Sequence, residues 1–303
     1  MFRKFLFMST LALTLSAAKS MAVTSEEMMG PGWGDSLGGY GVSFFSIAST
    51  TSTQLDSQDA SIGSYNYFGL NWRLGSDTKA SLRLPFTYDS QGQNKYGDQI
   101  NSEVALSDIH AAYSMYDLGY IGDIDISGVA KIYFPTSEAS QEMNTIAKFR
   151  FEVFGEYYFN RRWSLEYRIK PDLYWQTQKA YFNTTIPQFE DGNFVTDPRQ
   201  TTKIASLEHI LQLEYYVNRY LSFTTAGGFD EDWYNASATE DLPGGHVTYS
   251  SLSIGFSVRP LSKLSFLVQM TNKFRLESYR GQDIGPFRPE NLQYSVMTNA
   301  AIF

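Results

Sequence analysis

The stretch 146–175 alternates between apolar and charged side chains, and this pattern constrains the fold more than any other feature of the chain. Lys148, Arg150 and Glu152 each stand between apolar residues, and the alternation resumes after a break at 160–162. A period of two places successive side chains on opposite faces of a β-strand. Each arm is more than twice the usual globular strand length of roughly 5–6 residues. A soluble sandwich would turn the charged face to water. Arms of this length, aromatic on one face and charged on the other, instead predict transmembrane barrel strands, apolar towards lipid and polar towards a lumen.

The first residues resemble a processing signal rather than part of the fold. Arg3 and Lys4 give a basic start, 5–18 is an apolar run, and Ser20 and Ala22 form a small-x-small site. The run is too short for a spanning helix, which argues against a retained N-terminal anchor. We therefore expect residues 1–22 to be a signal peptide, 23–38 a periplasmic lead-in and 39–303 the barrel.

Composition narrows the partners and the chemistry. The formal net charge is −8 and there is no basic tract, which argues against nucleic acid as a partner. The chain has no cysteine, which excludes disulfides, thiolate metal sites and a cysteine nucleophile. Mean hydropathy is −0.29, as in barrels where only alternate residues are apolar. Aromatic residues make up 16% of the chain, a share that suits interfacial girdles.

From residue 39 onward, alternating stretches are separated by connections that are alternately short and long. The short connections are rich in Gly, Asn, Asp, Ser or Pro, as tight turns require. Short periplasmic turns and long external loops are the pattern of bacterial outer-membrane barrels. Pro85 and Pro171 lie inside two of the stretches, where we expect a local bulge or a frayed rim. The predicted strands are 39–48, 64–74, 79–89, 104–116, 123–134, 146–158, 163–175, 203–216, 220–229, 247–258, 264–275 and 291–303.

A partial internal repeat supports this division. The sequence EYYFNR at 156–161 is echoed by EYYVNR at 214–219, and each is followed by an aromatic residue and a new strand. The echo predicts the same hairpin chemistry at two successive periplasmic turns. Aromatic residues near the strand ends would form two girdles, an inner one of Tyr157, Trp163, Tyr215 and Tyr220, and an outer one of Tyr88, Phe134, Trp175, Phe229 and Phe274.

The export signal, the strand–loop rhythm and the terminal Phe303 together resemble the outer-membrane β-barrel proteins of Gram-negative bacteria over 23–303. In that group a terminal aromatic residue is recognised by the barrel assembly machinery, so the resemblance implies this partner for Phe303, although Asn299 and Ala301 depart from the fuller terminal pattern. It also implies contact with outer-membrane lipid and lipopolysaccharide. A narrower resemblance, to outer-membrane channels associated with aromatic-compound (meta-pathway phenol) degradation, rests on LSDIH at 106–110 with Tyr113, and on FPTS at 134–137.

Strand parity gives the side chains that would face the lumen. Charges of both signs are interspersed, and unpaired charges in a dry interior would cost several kcal/mol each, so we expect them to be paired, hydrated or both. A water-filled channel and a salt-bridged plug both satisfy this requirement, because about 12 strands enclose a bore between a filled barrel of about 8 and an open porin of about 16. The candidate pore-lining residues are Arg73, Arg83, Asp108, His110, Lys131, Lys148, Arg150, Glu152, Glu156, Glu166, Arg168, Lys170, Glu208, Glu214, Lys273 and Arg275.

Catalytic and metal sites have weaker signals. Asp108 and His110 share one face, and the acidic run 230–232 with His246 would lie at the outer rim, where barrel-embedded proteases keep acid and His residues. No nucleophile is positioned beside either set, so we predict no enzymatic activity and keep a barrel-embedded hydrolase as an alternative. The acidic loop residues lack the ordered spacing of a Ca²⁺ site. We predict no metal and no cofactor.

The sequence thus predicts one all-β domain, an antiparallel up-and-down barrel of about 12 strands in the outer membrane. The function that we expect is passive, porin-like passage of small solutes. A structural or surface-display barrel without an open pore, with loop 176–202 as the exposed feature, is the other alternative.

Overall fold

The computed structural model describes residues 39–52, 62–90, 92–93, 99–100, 102–182, 199–236, 244–276 and 287–302. The predicted signal peptide 1–22, the lead-in 23–38 and the terminal Phe303 lie outside these ranges. So does most of loop 176–202.

Twelve antiparallel strands form one closed barrel, as the sequence predicts. Each strand pairs with the next along the chain, and β1 pairs with β12 from Ser43 opposite Ala301 to Thr51 opposite Gln293. Closure leaves no exposed sheet edge. The strands are β1 (Tyr40–Thr51), β2 (Gly63–Arg73), β3 (Thr78–Asp89), β4 in two segments (Glu103–Leu106 and His110–Ile121), β5 (Ile124–Tyr133), β6 (Thr145–Asn160), β7 (Trp163–Gln176), β8 (Lys203–Asn218), β9 (Leu221–Tyr234), β10 (Gly245–Leu261), β11 (Leu264–Arg275) and β12 (Leu292–Ala301).

The remaining elements are small and lie in the long connections. They are the helix α1 (Glu138–Glu142), a 3₁₀ turn (Pro289–Asn291), and two short strand pairs, Gly92–Gln93 with Gln99–Ile100 and Ala180–Phe182 with Arg199–Thr201. In the described ranges, none of the helices has the length and apolar character needed to cross a membrane. We call the end of the barrel with short connections the turn end, and the opposite end the loop end.

Burial follows the alternation of the sequence. The apolar outer surface and the polar interior of the predicted barrel are therefore both present, and the predicted girdle residues are exposed or half-buried. In β7 the exposed side chains include Trp163, Tyr167, Leu173 and Trp175, and the buried ones are Ser164, Glu166, Arg168 and Asp172.

The two echoed turns share one device. Asn160 Oδ1 accepts a hydrogen bond from the backbone N–H of Arg162 at 2.8 Å. Asn218 Oδ1 accepts from the N–H groups of Tyr220 and Leu221, at 2.7 and 3.1 Å. Asn side chains in such positions satisfy turn donors that the ladder leaves free. The predicted common hairpin chemistry is confirmed.

The two prolines are accommodated in different ways. Opposite Pro85, β4 leaves the ladder at 107–109, and the register shifts by one residue between the pairs Phe86–Leu106 and Arg83–His110. Pro85 cannot donate, and its carbonyl accepts from the N–H of Ser107 instead. The expected bulge therefore lies in the neighbouring strand. At Pro171 the expectation is wrong, because the register is unchanged on both sides and the ladder with β6 merely lacks the pairs of Lys170 and Pro171.

Candidate functional site

A row of five charged side chains, alternating in sign, crosses the inward faces of β5, β6 and β7. Lys131 Nζ lies 2.8 Å from Glu152 Oε1, and an Arg150 nitrogen lies 3.9 Å from the same oxygen. Arg150 also donates two hydrogen bonds to Asp172, at 2.6 and 2.7 Å. Lys148 Nζ completes this charge row, 2.9 Å from Asp172 Oδ2. Pairing of this kind offsets the desolvation cost of several kcal/mol per buried ion.

Three glutamates lie nearer the turn end, on β6, β7 and β8. Glu156 stands directly opposite Glu166 in the register of the two strands. Arg168 donates to Glu166 Oε1 at 2.7 Å, and an Arg259 nitrogen lies 3.5 Å from Glu214 Oε1. All three glutamates are buried. We call the inward faces of β5 to β8 the charged wall. Most of its side chains pack against one another, and Arg150, Lys170 and Glu208 are partly exposed.

Aromatic rings continue the packed interior from the charged wall towards β1. The His110 ring stacks on Tyr133 with centroids 4.4 Å apart, and Tyr67 stacks on Phe45 at 5.0 Å. The Arg83 guanidinium lies over the Tyr67 ring at 4.7 Å, a distance suited to cation–π attraction. The aromatic contacts therefore fill the interior beside β2, β4 and β5 with well-packed rings.

The inward faces of β9 to β12 are different in kind, and we call them the small-residue wall. The register places hydroxyl-bearing and very small side chains beside one another across all four strands. These side chains are smaller than those of the charged wall, and four of the serines among them are buried. The whole set is Ser222, Thr224, Ala226, Gly228, Ser251, Ser253, Gly255, Ser257, Ser265, Thr271 and Ser295.

Besides Arg259 at the turn end, charges return to the small-residue wall near the loop end. Lys273 Nζ lies 2.7 Å from Asp230 Oδ2, and Lys203 of β8 lies 2.7 Å from Asp232 Oδ1. Although Lys273 is on an inward position, its side chain is 48% exposed. Water therefore reaches the inward face beside β11.

The bulge of β4 joins the barrel wall to α1. Asp108 Oδ1 accepts hydrogen bonds from the backbone N–H and the hydroxyl of Ser137, at 2.9 and 2.7 Å. Its Oδ2 accepts from the hydroxyl of Ser140, which is buried. A cavity of about 450 Å³ lies beside these contacts. It is lined by Tyr65, Thr87, Ala105, Leu106, Ser107, Asp108, Tyr133, Ser137, Glu138, Ala139 and Lys148.

The structure places the predicted pore-lining residues on inward positions with two special cases. Asp108 lies in the bulge, and Arg73 donates at the turn end to the carbonyls of Gly75 and Ser76. Fully buried are Arg83, His110, Lys131, Glu152, Glu156, Glu166, Arg168 and Glu214. Partly or well exposed are Lys148, Arg150, Lys170, Glu208, Lys273 and Arg275. Their role as the lining of an open pore stays a prediction.

The pore-lining residues predicted from the sequence do not include two aspartates that connect the charged side chains of the interior. Asp172 joins Lys148 to Arg150, and Asp232 holds Lys203. The signal for Asp172 is present in the sequence, because a period of two puts it on the same face as Lys170. The pairing partners themselves follow from the register, which the sequence does not give.

The rim constellation of the hydrolase alternative is divided by the barrel wall. Glu231 and His246 face outward, 3.4 Å apart, with the His246 ring stacked on Trp233 at 5.1 Å. Asp230 and Asp232 face inward and are held by lysines. Of the acidic run, only Glu231 therefore lies beside His246, and this pair is on the outer surface, apart from Asp230 and Asp232.

The second acid–histidine pair is also separated. His110 Nδ1 lies 3.3 Å from the backbone carbonyl oxygen of Asp108, and the Asp108 carboxylate is turned towards Ser137 and Ser140. The imidazole is stacked inside the barrel instead of being oriented by a carboxylate. Within the ranges that the structure describes, no group of three or more acidic or histidine side chains is placed to hold a metal ion.

Several solved structures of outer-membrane channels superpose on this chain. An outer-membrane channel from Pseudomonas putida F1 superposes with a TM-score of 0.53 at 11% identity, covering 87% of this chain and 96% of that one. The CymD monoaromatic hydrocarbon channel gives a TM-score of 0.43 at 7% identity over 87% and 88% of the two chains. The KdgM porin gives 0.43 at 7% identity over 86% and 99%. No family model and no curated protein matches the sequence. The chain has the fold of an outer-membrane β-barrel.

Proposed function

We propose that this barrel is a passive channel for small polar solutes, which cross it along the small-residue wall. The observation that carries the proposal is the contrast between the outward and inward faces of β9 to β12. Outward positions are mostly apolar, whereas many inward ones are hydroxyls, glycine or alanine, interrupted by larger side chains such as Leu267, Gln269 and Met297. Larger bores than that of a filled barrel are expected for about 12 strands.

The charged wall supports the same proposal in a second way. Paired charges hold that half of the interior in one conformation, so that the bore keeps a fixed shape. The pairs nearest to water are Lys273 with Asp230 and Lys170 with Glu208, at 2.7 and 3.2 Å. Side chains of both signs at the loop end would favour small hydrophilic solutes over apolar ones. The chemical identity of the solute is left open by this mixture of charges.

Reconstitution into a planar lipid bilayer tests the proposal. The folded protein is recognised because its migration on a detergent gel changes on boiling. It should produce discrete conductance steps in KCl. Boiled protein from the same preparation should produce none. A folded barrel that inserts into the bilayer and gives no conductance steps at any voltage would contradict the proposed channel function.

A structural or surface-display barrel is the second candidate, and the burial of the charged wall favours it. Glu166 is 1% exposed and Phe154 is fully buried, so the part of the charged wall around these two residues excludes water. If the same packing closed the whole bore, the folded protein would insert silently. Proteolysis of intact cells at loop 176–202 then becomes the informative measurement, because an uncut loop would contradict surface display.

Export and assembly belong to the same proposal. Residues 1–22 would direct the chain across the inner membrane, and Phe303 would be recognised by the barrel assembly machinery before the apolar belt meets lipid and lipopolysaccharide. Deleting Phe303 should lower the amount of heat-modifiable protein in the outer membrane. An unchanged amount would show that assembly does not depend on this residue.

A further inference from the structure

The segment 134–144 lies across part of the mouth at the loop end, rather than projecting away from it. The cavity of about 450 Å³ has two kinds of lining. One wall consists of inward side chains of the barrel, including Tyr65, Thr87 and Lys148, and the other is the start of α1 with Glu138 and Ala139. Because inward residues and α1 line one cavity, α1 stands over the lumen beside β2 to β6.

One end of this segment is fixed to the β4 bulge through Asp108 and its neighbours. The Asp108 carboxylate accepts three hydrogen bonds, two from Ser137 and one from Ser140. Thr136 adds two more, accepting from the N–H of Ile109 at 2.8 Å and donating to the carbonyl of Ser107 at 3.0 Å. Hydrogen bonds to a charged acceptor are the stronger kind, so Asp108 is the principal attachment.

The other end is fixed to β7 by neutral contacts only. The N–H of Thr177 donates to the carbonyl of Asn144 at 3.2 Å, and Gln176 donates to the hydroxyl of Thr145 at 3.2 Å. These bonds hold the root of the segment where it enters β6. They do not fix the position of α1 over the mouth.

Pro85 explains why Asp108 is free to act in this way. In an unbroken ladder, Asp108 would be one step of β4, with its backbone paired to β3. The proline removes one donor, β4 bulges at 107–109, and the side chain of Asp108 can turn to the segment that follows β5. The two short motifs LSDIH and FPTS, which lie far apart in the sequence, meet at this point.

We propose that Asp108 is a positioning residue for passage: it latches α1 over the mouth and thereby sets the largest solute that enters. This inference rests on the proposed channel function. Releasing the latch by Asp108→Ala leaves Ser137 and Ser140 without their acceptor, and α1 then samples positions away from the mouth. Asp108→Asn keeps one carbonyl oxygen as an acceptor, so its effect is intermediate.

Solute size is the first readout. Proteoliposomes with each variant are swollen in glycerol, arabinose, sucrose and raffinose, and each rate is divided by the glycerol rate. We expect Asp108→Ala to raise the sucrose and raffinose ratios several-fold and Asp108→Asn to raise them less. Asp123→Ala removes an exposed carboxylate from a turn at the opposite end and serves as the matched control, which should leave the ratios unchanged. Equal ratios in all four proteins overturn the proposal.

A second readout does not depend on transport, and the absence of cysteine makes it direct. Thr87→Cys places one thiol in the cavity under α1. We expect a bulky maleimide added from outside to label it several-fold faster when Asp108→Ala is also present. Retained heat-modifiable migration shows that the variant barrel is folded. Faster labelling of a protein that gives no conductance in bilayers would contradict the channel and support the latch. Conductance with unchanged labelling would contradict the latch alone.

Discussion

The charged wall and the small-residue wall are both built from long antiparallel strands paired with their neighbours, yet they are stabilised in different ways. Much of the charged wall is buried, and every side chain of its charge row from Lys131 to Lys148 has an ion-pair partner. The small-residue wall offers hydroxyls and glycine, and it holds the well-exposed Lys273. In the proposed channel, one half of the barrel therefore provides rigidity and the other half provides the path for solutes.

The physical reason is the cost of burying charge. A buried pair gains from a low dielectric only if both partners are present, because either alone keeps its desolvation cost. Burying a serine or threonine hydroxyl costs less than burying a charge. The charged wall is therefore sensitive to single substitutions, and the small-residue wall is sensitive mainly to volume.

Breaking the charge row gives the largest expected effect. Lys131→Met removes the cation 2.8 Å from the buried Glu152, and we expect a loss of about 3–5 kcal/mol in the free energy of unfolding. Urea titrations followed by the gel shift of the folded barrel measure it. Lys131→Met combined with Glu152→Met should recover most of the loss.

Lys273→Met is the matched control on the other wall. Its pair with Asp230 is well exposed, so we expect a loss of less than about 1 kcal/mol. Similar losses of unfolding free energy for Lys131→Met and Lys273→Met would contradict the difference between the two walls.

Substitutions in the two echoed turns should cause smaller losses of stability, and the two losses should be similar. Asn160→Ala and Asn218→Ala each remove a side-chain acceptor from a turn, and we expect a loss of about 0.5–1.5 kcal/mol for each. The same urea titrations apply. A much larger loss at one turn would mean that the walls differ in their connections as well as in their inward side chains.

Filling the small-residue wall should change conductance and spare stability. Thr271→Trp adds an indole on the inward face of β11, and we expect single-channel conductance to fall by about half in a bore narrower than that of a porin of about 16 strands. Met270→Trp places the same ring on the neighbouring outward position and should leave conductance unchanged. Equal conductance in the two variants would locate the path elsewhere.

Ion preference should show the smallest effect and can sharpen the comparison. Lys273→Gln removes a well-exposed inward cation, and we expect the reversal potential in a KCl gradient to move by a few millivolts towards cation preference. Lys148→Gln removes a cation that is 18% exposed and held by Asp172, so its shift should be smaller. High salt screens both effects. A larger shift for Lys148→Gln would place the water path along the charged wall.

The strand framework could be predicted from the sequence because the period of two persists through almost every strand. Parity also assigned Lys148, Glu152 and Glu166 to one face, since that assignment needs only counting. The partners of these residues need the register between strands, which is set by long-range pairing and leaves no local signal. Asp172 was missed as a connecting residue for this reason.

The latch was beyond sequence reasoning for a further reason. From the sequence, Pro85 predicted an irregularity in its own strand, β3. The structure instead accommodates the missing backbone donor by a bulge in the neighbouring strand β4. The helix α1 has five residues, too few for a helical period to be visible. Asp108 was counted with the lumen, and its contact with Ser137 depends on both irregularities at once.

The pairing of β1 with β12 has a consequence for the folding pathway. Almost the whole described chain separates Ser43 from Ala301, so their contact closes the longest loop in the molecule. Until that seam forms, two rows of backbone N–H and C=O groups would meet hydrocarbon without partners, at several kcal/mol each. Membrane entry and ring closure should therefore be one cooperative event. An intermediate that lacks the last strand would be held by another protein or would pair with a second unfinished chain.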